Sequence, residues 1–206
     1  MAKYTAPKGR LVRRFGANIF ENPKYDQLLA RRPDPPGEQG AKQQRRKLSD
    51  YALQLREKQK LRYSYGLQEK QFRRTFQRAV KRRGVTGDNL LQLLEARLDN
   101  AVFRAGFCSS RMQARQLINH GHLRVNDRRV DIPSYQVKPG DTISIRQTDR
   151  SRSLVTRMIA EAPGYHRADW IVADLEQQRF TIQQLPARDV LRQDVNEQLI
   201  IELYSR

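Results

Sequence analysis

Residues 90–146 read LLQLLEARLDNAVFRAGFCSSRMQARQLINHGHLRVNDRRVDIPSYQVKPGDTISIR, and they contain the clearest structural pattern of the chain. In the first part of this stretch the apolar residues recur one helical turn apart, at Leu90, Leu94, Leu98 and Val102. This spacing predicts one amphipathic helix from Leu90 to Ala105. We expect Gly106 to end it, because glycine adopts the left-handed conformation of a helix C-terminus without a steric penalty.

A second, shorter helix is predicted to follow. Ser110 and Gln113 have the spacing of a capping box, in which polar side chains satisfy the N–H groups at the start of a helix. The apolar side chains of residues 111–118 share one side, and Gly121 marks the end of the helix.

The hydrophobic period then changes from that of a helix to that of a strand. Residues 122–125, 129–132 and 142–145 alternate between polar and apolar. Turn-forming residues separate them, first Asn126–Asp127 and then Pro139–Gly140–Asp141. The stretch is therefore predicted to form two helices packed on a small sheet.

Arginine positions within this module indicate its function. Arg97 and Arg104 are expected on one edge of the first helix, and Arg111 and Arg115 lie one turn apart on the second. A guanidinium group presents a planar set of donors that matches phosphate oxygens. The cluster predicts contact with a nucleic-acid backbone, together with a neighbouring polar loop that bears His120, His122, Asn126, Arg128 and Arg129.

An alternative for the same arginines is a solvated basic face, in which Arg97 pairs with Glu95 or Asp99. The grouping of four guanidiniums beside a polar loop favours nucleic acid over this alternative.

Several strings of the module resemble the RNA-binding domain that is named after small-subunit ribosomal protein four. They are LEARLDN (94–100), QARQLINHGH (113–122) and VKPGD (137–141). The resemblance to this ribosomal-protein family continues outside the module, with QLREKQKL (54–61) and YG (65–66) before it and EQLIIELYSR (197–206) after it. It therefore covers most of the chain.

This resemblance implies a structural constituent of the small ribosomal subunit rather than an enzyme. Members of the family bind small-subunit rRNA directly, nucleate assembly of the subunit body and line the mRNA entrance. The implied partners are small-subunit rRNA, the neighbouring ribosomal protein five and mRNA at the entry channel. The resemblance implies no small-molecule substrate and no cofactor.

Composition independently indicates a polyanionic partner. The 206 residues include 40 lysines and arginines against 22 acidic residues, which gives a net charge of +18. No apolar run approaches the roughly 20 residues that span a bilayer, so no membrane role is predicted. We expect a cytoplasmic protein within the ribosome, and the residues leave open the stroma or matrix of an organelle.

The cysteine count argues against a metal site. One cysteine, Cys108, and three histidines cannot supply a closed four-ligand zinc site with normal spacing. Bacterial members of the resembled family often have four zinc-binding cysteines near the N-terminus, and this sequence has none. We predict that Cys108 lies in a turn. A catalytic Cys108 beside His120 or His122 is the alternative, but no orienting motif accompanies it.

The predicted fold class is α+β, with three regions. Residues 1–44 are predicted to be a basic extended arm that cannot form a core alone. Residues 45–89 form a helical domain that the C-terminal helix 195–206 completes. Residues 90–194 form the RNA-binding domain around its core module 90–146, of two helices packed on a small, mainly antiparallel sheet. It also includes a short helix at 154–159 and two further strands, 170–173 and 180–182, which are expected to join the sheet.

Basic charge is concentrated before the module. Residues 45–83 contain fourteen basic and three acidic residues, and residues 1–44 contain nine and four. We expect these segments to supply most of the electrostatic affinity, while the module fixes orientation. We predict RNA contacts for Lys8, Arg10, Arg13, Arg14, Lys42, Arg45, Arg46, Lys47, Lys58, Lys60, Arg62, Arg73, Arg74, Arg97, Arg104, Arg111, Arg115, His120, His122, Asn126 and Arg128.

Other classes of protein remain as alternatives. The same RNA-binding domain occurs in pseudouridine synthases and tyrosyl-tRNA synthetases, so an RNA-modifying enzyme or a free RNA-binding factor is one alternative. No segment offers a separate catalytic domain or a nucleotide-binding glycine loop. A helix-turn-helix DNA regulator that uses residues 90–121 is another, but it gives the basic segment and the sheet no clear role.

Overall fold

The computed structural model describes residues 4–40, 48–161, 168–187 and 194–205. The helices in these ranges are α1 (Lys8–Phe15), α2 (Pro23–Arg31), α3 (Asp50–Ser64), α4 (Glu69–Val80), α5 (Thr86–Glu95), α6 (Leu98–Arg104), α7 (Arg111–Asn119), α8 (Asp149–Ala160) and α9 (Glu197–Ser205). The strands are β1 (Leu123–Val125), β2 (Arg128–Arg129), β3 (Thr142–Ile145), β4 (Ile171–Asp174) and β5 (Arg179–Ile182). Helices and an antiparallel sheet confirm the predicted α+β class.

The described residues divide into two compact units. One contains residues 4–77 together with 194–205, and the other contains residues 78–187. None of the helices within the described ranges is long and apolar enough to cross a bilayer.

The N-terminal segment is helical, and the prediction of an extended arm is wrong for residues 4–40. A small buried cluster consists of Leu11, Val12 and Phe15 of α1 together with Ile19. Tyr63 of α3 packs against this cluster. Proline and glycine bound the helices of this segment: Pro23 starts α2, and Gly16 ends α1 with a φ of 63°.

The C-terminal helix packs on the other helices of this unit. Helix α9 lies against α3, and the ring of Tyr204 stacks on that of Phe76 with 4.6 Å between centroids. The hydroxyl of Tyr204 donates a hydrogen bond to Glu69 of α4 at 3.0 Å. Leu61 and Phe72 are fully buried in the same unit. One aromatic side chain therefore joins α9 to α4.

The predicted long helix of the second unit is interrupted, so the expectation of one helix from Leu90 to Ala105 is wrong. Helix α5 ends at Glu95, and Arg97 has extended backbone angles (φ −75°, ψ 140°) before α6 begins. A distant segment supplies the reason, because its backbone bonds to this bend. Leu98 N–H donates to Tyr135 O at 2.8 Å, and Val137 N–H donates to Ala96 O at 2.9 Å.

The ends of the next helices follow the prediction closely. Gly106 has a φ of 83° just after α6, and the hydroxyl of Ser110 accepts a hydrogen bond from the backbone N–H of Gln113 at 3.3 Å. The reciprocal half of the capping box differs. The side-chain oxygen Oε1 of Gln113 accepts from the backbone N–H of Ser109, not Ser110, at 3.0 Å.

The five strands pair antiparallel in the order β2-β1-β3-β5-β4. The pairing of β5 with β3 confirms that the strands predicted at 170–173 and 180–182 join the central sheet. The strand predicted at 129–132 is wrong in extent, since β2 covers only Arg128–Arg129. The chain leaves the sheet there because residues 133–137 bond to the bend before α6.

Helices α6, α7 and α8 cover this sheet over one core that includes Phe107, Phe180 and Trp170. The helix predicted at 154–159 is confirmed, although α8 begins earlier, at Asp149. Cys108 follows α6 within this core, and burial raises the pKa of its thiol to about 12. It is a protonated core residue at neutral pH, which argues against the nucleophile alternative.

Candidate nucleic-acid interface

Five cationic or titratable side chains lie close together at one edge of the second unit. We call them the histidine–arginine patch: His120, His122, Arg129, Arg146 and Arg150. The two histidine rings are 6.1 Å apart between centroids. The Arg129 guanidinium lies directly over the intervening glycine, where a Cβ would be 2.7 Å from its Nε atom. Only a residue without a side chain at position 121 leaves room for this guanidinium.

An open pocket of about 490 Å³ lies within the patch. Arg146 follows β3, and its backbone N–H donates to His122 O at 2.8 Å. Arg150 lies in the first turn of α8. The hydroxyl of Ser151 lies 2.9 Å from His122 Nδ1 and 2.7 Å from the hydroxyl of Thr148. Strand, turn and helix therefore converge on one concave, basic surface.

The surroundings of His122 disfavour its charged form. Burial lowers the pKa of His122 below its ordinary value, and the nearby His120, Arg150 and Arg146 lower it further. An anion in the pocket would oppose the effect of these neighbouring groups on the pKa, because it would offset the positive charge around the imidazole.

The predicted basic face of the two helices is a network of ion pairs. Asp99, whose side chain is 2% exposed, receives hydrogen bonds from two arginines. Arg97 Nη2 donates to Asp99 Oδ2 at 2.8 Å, and Arg115 Nε donates to the same oxygen at 2.9 Å. Arg97 is itself buried. Its pairing with Asp99 is the alternative that the sequence left open.

Glu95 pairs directly with Arg104 and, through Asn100, is linked to Arg111. It accepts hydrogen bonds from Arg104 Nη2 at 3.0 Å and from Asn100 Nδ2 at 2.7 Å. Arg111 Nε donates to Asn100 Oδ1 at 2.7 Å, and its guanidinium lies 4.5 Å from the ring centroid of Phe103. The four arginines that were expected to contact RNA thus have partners within the protein, and their contact with RNA stays a prediction.

The turn after β1 uses its polar side chains internally. Asn126 has a φ of 48°, and its amide donates to Asp141 Oδ1 at 2.8 Å while its oxygen accepts from Thr142 N–H at 3.0 Å. Asn126 therefore holds the turn in place. Arg128, on the adjacent edge strand, is exposed.

Basic side chains of α1 divide by exposure. Arg10 and Arg14 are exposed, while Lys8 lies 5.3 Å from the ring centroid of Phe20. Arg13 donates to the carbonyl oxygens of Asp34 at 2.8 Å and of Pro35 at 3.3 Å. Of these four side chains, only Arg10 and Arg14 are exposed as a contact with RNA requires. The predicted contacts Lys42, Arg45, Arg46 and Lys47 lie outside the described residues.

Three of the predicted contacts on α3 have partners within the protein. Lys58 Nζ donates to Glu69 Oε1 at 2.7 Å, and Lys60 donates to the backbone oxygen of Asp194. The Arg62 guanidinium lies 4.2 Å from the ring centroid of Tyr63. Their charge helps to hold this unit together.

Helix α4 presents basic residues to solvent instead. Phe72 and Phe76 are buried on its apolar face, while Arg73 and Arg74 are exposed, as predicted contacts should be. Five other exposed residues of α4 and the turn after it are not among the predicted RNA contacts: Lys70, Arg78, Lys81, Arg82 and Arg83. Arg146 and Arg150 are not among them either. Helical periodicity could have identified Lys70 and Arg78, because they share the polar face of α4.

Among the described residues, no three His, Cys, Asp or Glu side chains are grouped as metal ligands. A purely cationic surface suits phosphate groups rather than a metal ion.

Comparison with known proteins finds relatives of one family along the whole chain. The family model described as "Ribosomal protein S4/S9 N-terminal domain" matches residues 3–95, and the "S4 domain" model matches residues 96–143. Proteins named "Small ribosomal subunit protein uS4" are 48% identical in Chlorobium limicola and 50% identical in Opitutus terrae, each over 206 residues. The one from Thermus thermophilus is 48% identical over 212 residues. Each comparison covers 100% of both chains.

Proposed function

Because the chain belongs to the family of small ribosomal subunit protein uS4, we propose that its exposed basic side chains bind small-subunit rRNA directly and early in assembly of the subunit body. Membership of this family makes it a structural component of the small ribosomal subunit and not an enzyme. The family resemblance stated from sequence is confirmed.

The observation that carries the rRNA proposal is the distribution of exposed charge. Arg73 and Arg74 on α4, and the histidine–arginine patch in the second unit, are two basic surfaces rich in guanidinium groups. Guanidinium groups bind phosphate oxygens through charge-assisted hydrogen bonds, and such contacts fix a protein on a nucleic-acid backbone. Each surface by itself can bind backbone phosphates of a structured RNA.

A competition experiment tests this proposal. The full-length protein is bound to labelled small-subunit rRNA at fixed salt and challenged with large-subunit rRNA or duplex DNA. We expect small-subunit rRNA to compete at least about tenfold better than either, because shape and base contacts add to the charge term. Equal competition would contradict the proposal and indicate a general polyanion binder.

A matched pair of variants locates the contact. R73A/R74A removes two exposed guanidiniums from α4, and R157A/R179A removes two exposed guanidiniums from α8 and β5. We expect the first pair to weaken rRNA binding by about tenfold or more and to expose defined nucleotides to chemical probing. The second pair should leave both readouts unchanged; equal effects of the two pairs would argue against a localised contact on α4.

We also propose two specific partners that the resemblance implies, which are ribosomal protein five and mRNA at its entry channel. We propose further that these contacts occur on ribosomes of the cytoplasm. Amine-specific cross-linking of intact small subunits can use Lys70 and Lys81, which are both exposed. We expect a cross-linked peptide from protein five, and cross-links only to other subunit proteins would reject that neighbour.

A further inference from the structure

The pocket of the histidine–arginine patch combines three kinds of donor group, imidazole, guanidinium and hydroxyl, around one space. Its lining consists of His120, His122, Arg146, Arg150 and the hydroxyl-bearing residues Thr148 and Ser151. Among these lining residues, none carries a negative charge. A volume of about 490 Å³ is far more than a single phosphate group needs, so the pocket can admit one with part of the chain that bears it.

We propose that this pocket is a phosphate-binding site in which His122 takes up a proton from solvent when the site binds one phosphate group. The proposal deepens the rRNA function and rests on it for the source of the phosphate. It assigns Arg146 and Arg150 as the fixed charges of the site, His122 as its titrating group and His120 as a neighbouring ring.

The side chains match the chemistry of a phosphate group. Two guanidiniums supply always-charged donors, which is the usual way proteins hold phosphate oxygens. The hydroxyls of Thr148 and Ser151 can donate to further oxygens, and Ser151 is already positioned by His122 Nδ1 at 2.9 Å. Carbohydrate or apolar ligands would leave two guanidiniums without a countercharge, which makes them a poor fit.

The coupling to protons follows from the charges that face His122. These are His120 at the end of α7, Arg146 after β3 and Arg150 on α8, and the arginines are positive at every relevant pH. Burial and these groups lower the pKa of His122. A phosphate group favours the imidazolium, so binding raises the pKa again and the complex holds more protons than its parts. For an anion whose own charge stays constant, affinity must therefore increase as the pH falls through the histidine range.

Histidine NMR can observe this directly, because the chain has only three histidines. The Cε1–H signals of the full-length protein are followed between about pH 5 and 8 and assigned with H120Q, H122Q and H166Q. Inorganic phosphate is the probe, and inorganic sulfate, whose charge stays constant over this range, runs in parallel. We expect both anions to raise the titration midpoint of His122 by about half a pH unit or more.

Two double variants separate the site from general charge. R146A/R150A removes the arginines that line the pocket, and R152A/R157A removes two exposed arginines of α8 that do not line it. The first should weaken phosphate binding by about tenfold or more and abolish the midpoint shift. The second should behave like the unaltered protein. Equal effects of the two double variants would overturn the site.

Ribosomal RNA then distinguishes the source of the phosphate, since a phosphodiester keeps one negative charge throughout this pH range. At fixed salt, we expect small-subunit rRNA to bind about threefold to tenfold more tightly at pH 6 than at pH 8, and H120Q/H122Q to remove that difference. Tight rRNA binding that neither pH nor R146A/R150A alters would overturn the pocket and leave the proposed function intact. If the unaltered protein does not bind rRNA but anions still raise the titration midpoint of His122, the proposed function is rejected. The pocket would then be a site for free phosphate.

Discussion

Asp99 is the residue on which the arginine cluster of the second unit depends. Its carboxylate is buried and accepts hydrogen bonds from Arg97 and Arg115, which lie before and after it in the chain. Removal of one partner from a buried ion pair is costly because the remaining charge keeps its desolvation penalty. Here a single carboxylate compensates two guanidiniums, so its charge matters more than either arginine alone.

We therefore predict that Asp99→Asn lowers the free energy of unfolding by about 3 kcal/mol or more, measured by urea denaturation. Asp131→Asn is the matched control, because that carboxylate is 58% exposed and 4.0 Å from Arg129. We expect the control to change stability by less than about 0.5 kcal/mol. Similar losses in both variants would mean that the Asp99 pairs contribute no more than a surface contact.

Among the helices, the attachment of α9 depends on a polar contact at the start of α4. Glu69 accepts hydrogen bonds from Lys58 of α3 and from the Tyr204 hydroxyl of α9. Burial alone would raise the pKa of Glu69, but these hydrogen bonds and the charges of Lys58 and Arg62 outweigh it, and the pKa is lowered. The ionised carboxylate is thus the form that joins three helices.

This shift predicts a pH dependence. A carboxyl with a lower pKa in the folded than in the unfolded protein stabilises the fold above its unfolded pKa and loses that contribution as the pH falls through the folded value. We expect Glu69→Gln to lower the free energy of unfolding at pH 7 by about 1 kcal/mol or less, since the side chain is 48% exposed. The difference should disappear well below the ordinary value of 4.5.

Urea denaturation at several pH values measures this difference, and Glu38→Gln, at an exposed position in the same unit, is its control. A decrease in stability of Glu69→Gln that is the same at pH 3 and pH 7 would show that packing, not ionisation, is responsible.

Across the molecule as a whole, affinity and positioning are expected to belong to different parts of the chain. Residues 45–83 contribute +11 of the net charge of +18, and α4 exposes several of these cations. By contrast, Arg97, Arg104, Arg111 and Arg115 already have partners within the protein. An arginine that keeps its internal carboxylate neutralises little additional phosphate charge, so it changes the salt dependence less than an exposed one.

Salt titration of rRNA binding measures this division. The slope of log affinity against log salt is negative, and removing one cation that neutralises a phosphate reduces its magnitude by roughly 0.7 to 0.9. K70A/R73A/R74A should therefore flatten the slope by about 2. The control R152A/R157A/R179A removes three exposed charges elsewhere and should change the slope by less than about 1. A larger change in the control would place the electrostatic contact outside α4.

The composition of the chain also predicts its metal content. One cysteine and three histidines cannot close a four-ligand site, so elemental analysis of the dialysed protein should find no stoichiometric zinc. About one retained zinc per chain would contradict this prediction.

Features that depend on near neighbours could be predicted from the sequence alone. Helical and strand periods, the glycine that ends α6, the Ser110 cap and the turn at Asn126–Asp127 are local, because backbone sterics and neighbouring polar groups set them. Net charge and its concentration in residues 45–83 likewise required only counting, and they identified a polyanionic partner.

What each charged side chain faces, by contrast, depends on the tertiary structure. The bend at Arg97 arises from hydrogen bonds to residues 133–137, and carboxylates up to 16 positions away turn its neighbouring arginines inward. The pocket joins His122 to Ser151 across 29 positions. Periodicity places a side chain on a face of its own helix, but whether that face meets a carboxylate, a ring or solvent depends on which distant element packs against it.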